Sequence, residues 1–292
     1  MGKTKTILIL ILIAVAFGAG VYFKDDVVKF YNNFGKQVQD FQKTEIGSII
    51  SQASKQILAP VPLNVGGKAT QVVLLKSKII SETNLQRYQN ANLPALKESV
   101  LLDNAASAKA NDMFKNQYFE HISPAGVGPA TLVQNYGYNY IIAGENLILG
   151  NFASEKEVVQ DWMDSPGHRE NILNNRYTEI GVAIIKGNYK GETVWIGVQE
   201  FGLPLSSCAQ PDSVFKNQID LDKAQLDLLI SQIDERKAQI ENTNPHSAGY
   251  NQMVNDFNKM IEDYNLLAET TKNLIAQYNN QANIFNNCVA GE

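Results

Sequence analysis

Two of the chain's three histidines sit in segments whose composition invites chemistry. His121 lies in Phe119-Glu120-His121-Ile122-Ser123-Pro124, and His168 in Trp162-Met163-Asp164-Ser165-Pro166-Gly167-His168-Arg169-Glu170-Asn171. Between them, Gly144-Glu145-Asn146-Leu147 places a carboxylate where an apolar run begins. His246 falls in an Asn-Pro turn and reads as a solvated residue. Two imidazoles and a carboxylate meeting in one cleft support three chemistries. They can form a buried hydrogen-bond network that orders the surrounding elements. They can hold a divalent metal such as zinc with one coordination position open. Or a histidine activated by Glu145 can work as an acid or base. Neither HExxH nor a G-x-S-x-G elbow occurs.

Positioning these residues falls to a block over 68–204. Residues 81–90 and 98–116 show helical spacing, the second with Leu101, Ala105, Ala108 and Asp112 one turn apart. A short run, 72–75, reads as a strand, 129–136 as a short helix and 141–149 as a strand. Ser154 with Glu157 three residues on is a capping box opening a helix to about Asp164. Residues 179–186 and 193–201 alternate like the strands of a hairpin. Trp162 and Trp195 are expected in the core. Helices interleaved with a few antiparallel strands give an α+β fold, layered as an α-β-α sandwich.

These segments, with Asn84-Leu85-Gln86-Arg87 on the first helix, resemble in order and spacing the CAP superfamily. That group comprises the cysteine-rich secretory, antigen 5 and pathogenesis-related proteins, or SCP-like extracellular domains, and the bacterial branch is the nearer likeness. The resemblance covers about 75–203 and implies a surface cleft lined by two histidines and two acidic side chains. Carried over, the cleft holds His121, Glu145 and His168, as a metal or ligand set. The fourth acidic position falls three residues after the tryptophan, where Ser165 stands beside Asp164, so the set is incomplete unless Asp164 turns inward. Arg169 and Asn171 match positions that brace the cleft wall. Relatives in this group are linked to lipid or sterol binding and to extracellular interactions.

Beyond Pro204 the pattern is almost wholly helical. Residues 212–242 form one helix, 244–249 a turn, and 250–285 a second helix. In the second, Tyr250, Phe257, Tyr264, Thr271 and Tyr278 recur every seven residues, with Met253, Met260, Leu267 and Leu274 three further on. Ile219, Leu226, Leu229, Ile230, Ile233 and Ile240 form the facing stripe, which predicts an antiparallel coiled-coil hairpin over 205–292. Such a hairpin offers a surface for a docking partner. Cys208 precedes it and Cys288 follows it, so its folding brings the chain's two cysteines to one base. A disulfide there closes a loop of about 80 residues, on the order of 4 kcal/mol by loop entropy.

The N-terminus reads Met1-Gly2-Lys3-Thr4-Lys5, then an uncharged apolar run over 7–23 closed by Lys24-Asp25-Asp26. In a helix this run rises roughly 25 Å, enough for a short membrane span. Lys3 and Lys5 keep the N-terminus cytoplasmic and send the remainder outside. A cleaved signal peptide, cut among Ala14, Ala16 and Ala19, is the competing reading and also exports the chain. Amphipathic spacing from Val27 to Leu58, broken near Gly35 or Gly47, reads as a stalk within 25–67, with Pro60, Pro62, Gly66 and Gly67 as linker. With a net charge of −5 and scattered lysines and arginines, the chain lacks the basic face that nucleic acid requires. The function expected is a membrane-anchored, extracytoplasmic binding module for a lipid, glycan or protein; the alternative is a metal-dependent hydrolase built on His121, Glu145 and His168.

Overall fold

Strand β4 (Tyr140–Gly150) is buried along its whole length, because it lies inside a mixed sheet covered on both faces. The computed structural model describes residues 23–48, 56–68 and 71–291, in two units. One unit holds Ile50–Gln210 with Phe285–Glu292; the other holds the first 49 residues with Pro211–Ile284. The apolar run over 7–23 lies outside the described residues apart from Phe23. Among the described residues no helix is long and apolar enough to cross a membrane.

In the first unit the sheet runs β1-β4-β6-β5-β3, where β1 is Gln56–Leu58, β3 Lys97–Glu98, β5 Glu179–Tyr189 and β6 Glu192–Pro204. β4, β6 and β5 pair antiparallel over long registers. The β5–β6 turn is Lys190-Gly191, two residues both at positive φ (50° and 88°) as a tight hairpin needs. The strands therefore extend past Gly187-Asn188, where alternation alone would end them. β1 and a further strand, β2 (Leu63–Gly66), both join the outer edge of β4 in parallel. Two expectations fail here: 56–58 and 63–66, read as stalk and linker, are edge strands, and 72–75 is not a strand.

Helices flank the sheet. Helix α3 (Val100–Asn116) and α4 (Pro129–Asn135) bury Leu102, Ala105, Ala106, Ala110, Met113 and Val133 on the face of β4 that carries Ala143, Leu147 and Leu149. Helices α2 (Lys76–Ala91), α5 (Glu155–Asp164) and α6 (Pro166–Ile172) pack Ile79, Val158, Trp162 and Ile172 against Ile142 and Ile148 on the other. Ser154 caps α5, its hydroxyl accepting from the Glu157 amide at 3.2 Å. Within the Asn-x-x-Arg motif, Asn84 exchanges two hydrogen bonds with the Leu96 backbone. Arg87, wholly buried, donates to the carbonyls of Pro94, Ile172 and Asn174. These residues fasten loops at the ends of α2 and α6; they do not line a cleft.

In the second unit, helix α7 (Ser213–Glu241) is capped by Asp212, and α8 (Tyr250–Ala290) comes after the turn. Tyr250, Phe257, Tyr264, Thr271 and Tyr278 are buried at their seven-residue spacing, opposite Ile219, Leu226, Ile233 and Ile240. The companion row on α8 differs from expectation. Val254, Ile261, Ala268 and Ile275, four residues on, are buried, whereas Met253, Met260, Leu267 and Leu274 are only partly so. The cause is a third helix, α1 (Phe23–Gln42), which buries Phe34 and Phe41 in the same core. Phe34 meets Tyr264 edge to face at 4.9 Å between centroids. α1 passes through Gly35 unbroken and packs as a bundle member, so it is no free stalk.

Cys288 sits inside the last turns of α8 and not after them, and it bonds Cys208 across 80 residues of sequence. Reduction, or Cys208→Ser with Cys288→Ser, is expected to lower unfolding stability by about 4 kcal/mol at most, from the loop entropy returned to the unfolded chain. A lowered urea midpoint checks this; an unchanged midpoint counts against the clasp as a stabilising element.

Candidate functional site

The register of β4 on β6 sets Glu145 opposite Glu200 and Asn146 opposite Gln199. All four side chains are fully buried in a strand pair otherwise apolar on both faces. Side chains alternate along a strand, so each facing pair goes to a different layer.

Glu145 and Glu200 point to the α3 side, where Lys109 is also buried. Lys109 Nζ donates to the His121 carbonyl at 2.6 Å and stands 5.1 Å from the Tyr118 ring centroid. Burial pulls the Lys109 ammonium down from the ordinary lysine range, while Glu145 and Glu200 pull it back up. Glu145 Oε1 meets His121 Nδ1 at 2.6 Å. Burial first, and Glu145 second, hold the Glu200 carboxyl well above the ordinary range, so Glu200 keeps its proton beside its neighbour. Glu145 Oε2 and both Glu200 oxygens have no regular hydrogen bond.

Asn146 and Gln199 point to the other layer and complete an amide chain. Gln199 donates to Thr83 Oγ1 (2.8 Å); Asn146 donates to Gln199 Oε1 and to the His168 carbonyl (both 3.1 Å). Asn171 donates to Asn146 Oδ1 (2.9 Å) and to the Leu58 carbonyl (3.0 Å). Tyr177 closes the chain onto Asn171 Oδ1 at 3.2 Å. Gly144 is required by this approach, since a Cβ there would collide with the Tyr177 hydroxyl.

His168, near the start of α6, is 1 % exposed, and its Nδ1 is 2.8 Å from Ser165 Oγ. Its pKa is lowered to about 4, mainly by burial and then by the charge of His121, so the ring is neutral near pH 7. Its Nε2 has no hydrogen bond. The structure thus brings His121 and Glu145 into direct contact and His168 to the same edge, where Ser165 holds its ring.

That edge is shaped by a gap. β1 pairs with β4 as far as Leu58 opposite Gly144, and β2 resumes with Leu63 opposite Ile148. Ala59-Pro60-Val61-Pro62 spans the interval, and proline supplies no N–H to continue a ladder. Opposite this gap lie Glu145, Asn146 and Leu147. The Pro60 carbonyl turns onto His121 Nε2, and Pro60 packs on Gly167 so closely that a Cβ there would come within 2.7 Å. Both ring nitrogens of His121 face oxygen atoms, Nδ1 the Glu145 carboxylate and Nε2 the Pro60 carbonyl.

Two expected residues lie elsewhere. Asp164 is exposed and bonds Gln160, because it ends α5 on the solvent side. Arg169 is exposed and reaches Asn90 on α2. The residues missed are Glu200, Gln199 and Lys109. The available signal was Val194–Phe201, apolar at both parities: a strand buried on both faces leaves polar residues no solvent side. Among the described residues no three His, Cys, Asp or Glu side chains are grouped to hold a metal ion. His121 Nε2 would have to leave Pro60 to ligate one.

Residues 80–201 match the family model for CAP, the Cysteine-rich secretory protein family. The chain is 34 % identical over 164 residues to YkwD of Bacillus subtilis (strain 168), covering 51 % of this chain and 62 % of that protein. It is 28 % identical over 114 residues to the membrane protein YlbC of the same organism, covering 39 % and 32 %. The chain therefore spans less than two thirds of either relative. Among solved structures it is similar to an SCP-domain extracellular protein of Bacillus anthracis (30 % identity, 43 % of this chain, 39 % of that one, TM-score 0.37). It is also similar to an outer surface protein of Borrelia burgdorferi (25 % identity, 44 % and 91 %, TM-score 0.39).

Glu200→Gln keeps shape and removes the titration. A group whose pKa is raised on folding loses its contribution as pH rises from the unfolded value through the folded one. The variant is expected to match the wild type in denaturant unfolding at about pH 4, below the unfolded glutamate range, and to exceed it at about pH 9. His168 has the opposite sign: its pKa falls on folding, so stability present above about pH 6.5 declines toward pH 4. Histidine NMR titration should show one ring neutral to about pH 4, and that resonance should vanish in His168→Gln.

Proposed function

We propose that the protein, whose residues 80–201 match the CAP family model, is a membrane-tethered, extracytoplasmic binding module for a lipid, glycan or protein ligand. The tether is the apolar run over 7–23, and the lysines before it favour export of the residues C-terminal to it. The observation that carries binding over catalysis is the state of His121. It is the solvent-reached member of the cluster, its side chain 12 % exposed beside a fully buried Glu145. Both its nitrogens are committed to acceptors. A general base or a zinc ligand needs a ring nitrogen open to its partner, and here Glu145 and Pro60 occupy both.

The test is saturable capture of lipid vesicles and glycans by the full chain in detergent, compared with His121→Ala. A loss of about tenfold in affinity, roughly 1.4 kcal/mol, is expected for the variant. If the wild type instead takes up zinc stoichiometrically, loses it on His121→Ala and turns over an envelope peptide without saturable capture, the metal-hydrolase alternative replaces this reading.

A further inference from the structure

The three-helix unit has two distinct ends. At one, α7 turns into α8 through Asn242-Thr243-Asn244-Pro245-His246-Ser247-Ala248-Gly249; at the other lie Pro211 and Ile284. The direction of α1 along the unit is given by its contacts. Tyr31 donates to Asp234 at 2.5 Å, Lys237 Nζ stands 4.5 Å from the Tyr31 ring centroid, and Phe34 packs on Tyr264. Further along the chain, Ile46 packs near Ile219 and Tyr278, and the Gly47 amide donates to Asn279 Oδ1 at 2.6 Å. Helix α1 thus runs parallel to α8 and antiparallel to α7, and its first residue points toward the turn. Phe23 is eight residues before Tyr31, and Asn242 is eight residues after Asp234. Both spans rise about 12 Å in a helix, which places Phe23 level with the turn.

Phe23 is also where the apolar run over 7–23 ends. We propose that the turn Asn242–Gly249 rests on the lipid surface and that the three-helix unit stands on the membrane by this tip, with Pro211 and Ile284 at its far end. The inference rests on the reading of 7–23 as a membrane anchor. It goes beyond that reading by orienting a segment more than 200 residues later in sequence. The chemistry of the turn fits a headgroup layer: it contains small and amide side chains, one histidine and no carboxylate, so nothing in it repels an anionic surface. α7, at 29 residues, then holds the far end about 43 Å from the lipid.

The test uses the full chain in phosphatidylcholine vesicles doped with headgroup spin-labelled lipid. A fluorophore is attached at Ala248→Cys or at Ser213→Cys; the native cysteines are bonded to one another. Emission at position 248 should fall at least about twofold and emission at 213 should not change, since some 43 Å of helix separates them. Equal quenching, or stronger quenching at 213, overturns the orientation. Vesicle flotation of the full chain against a chain lacking 2–22 separates the two readings. If the full chain floats but position 248 is not quenched, the orientation alone falls. If neither chain floats, the anchor falls and the orientation with it.

Discussion

The central unit is organised around one register: Glu145 against Glu200 and Asn146 against Gln199 in the middle of the β4–β6 pair. Four buried polar side chains at adjacent positions are costly unless each finds a partner; the surrounding elements supply hydrogen bonds to Glu145, Asn146 and Gln199, and leave Glu200 with the field of Lys109. Thr83 on α2 and Asn171 on α6 complete the amide chain on one face. On the other, Lys109 on α3 holds the His121 carbonyl, and His121 meets Glu145. Sliding the strands by one residue would send every polar group to the wrong layer. The polar centre therefore specifies pairing as well as holding the candidate site.

The second organising feature is the interruption of the outer edge. Two prolines prevent β1 and β2 from forming one strand, and the interval falls opposite Glu145. Carbonyls of Leu58 and Pro60, freed from ladder duty, accept from Asn171 and His121 instead. A segment outside the stretch matched to the family model thus supplies contacts to residues within it. The closed state of His121 results from this edge, and Gly167 is small because Pro60 lies on it.

Much of this was legible in the sequence, and the exceptions have physical reasons. α3, α5, β4 and the hairpin strands announced themselves by periodicity or capping. The aromatic row of α8 was visible because one face is buried at every seventh residue. β1 and β2 were not visible: three or four residues of parallel edge strand show no alternation, and prolines between them read as linker. Glu200 does not stand out in the sequence, because alternation assigns a polar residue to solvent, a rule that fails in a strand covered on both faces. Asp164 stands beside Ser165, where the resemblance places a fourth acidic residue, but it sits at the exposed end of α5. The periodicity of α1 was read correctly as amphipathic, yet pattern alone does not name what an apolar stripe packs against. Its docking shifted the second buried row of α8 by one residue.

The Cys208–Cys288 bond joins the point where the chain leaves the first unit to the point where it comes back. Everything between, 211–284, is an excursion with covalently fastened ends. Its extent is then free to drift in evolution. Matched insertions or deletions of seven residues in both arms would preserve the buried rows and leave the departure and return untouched.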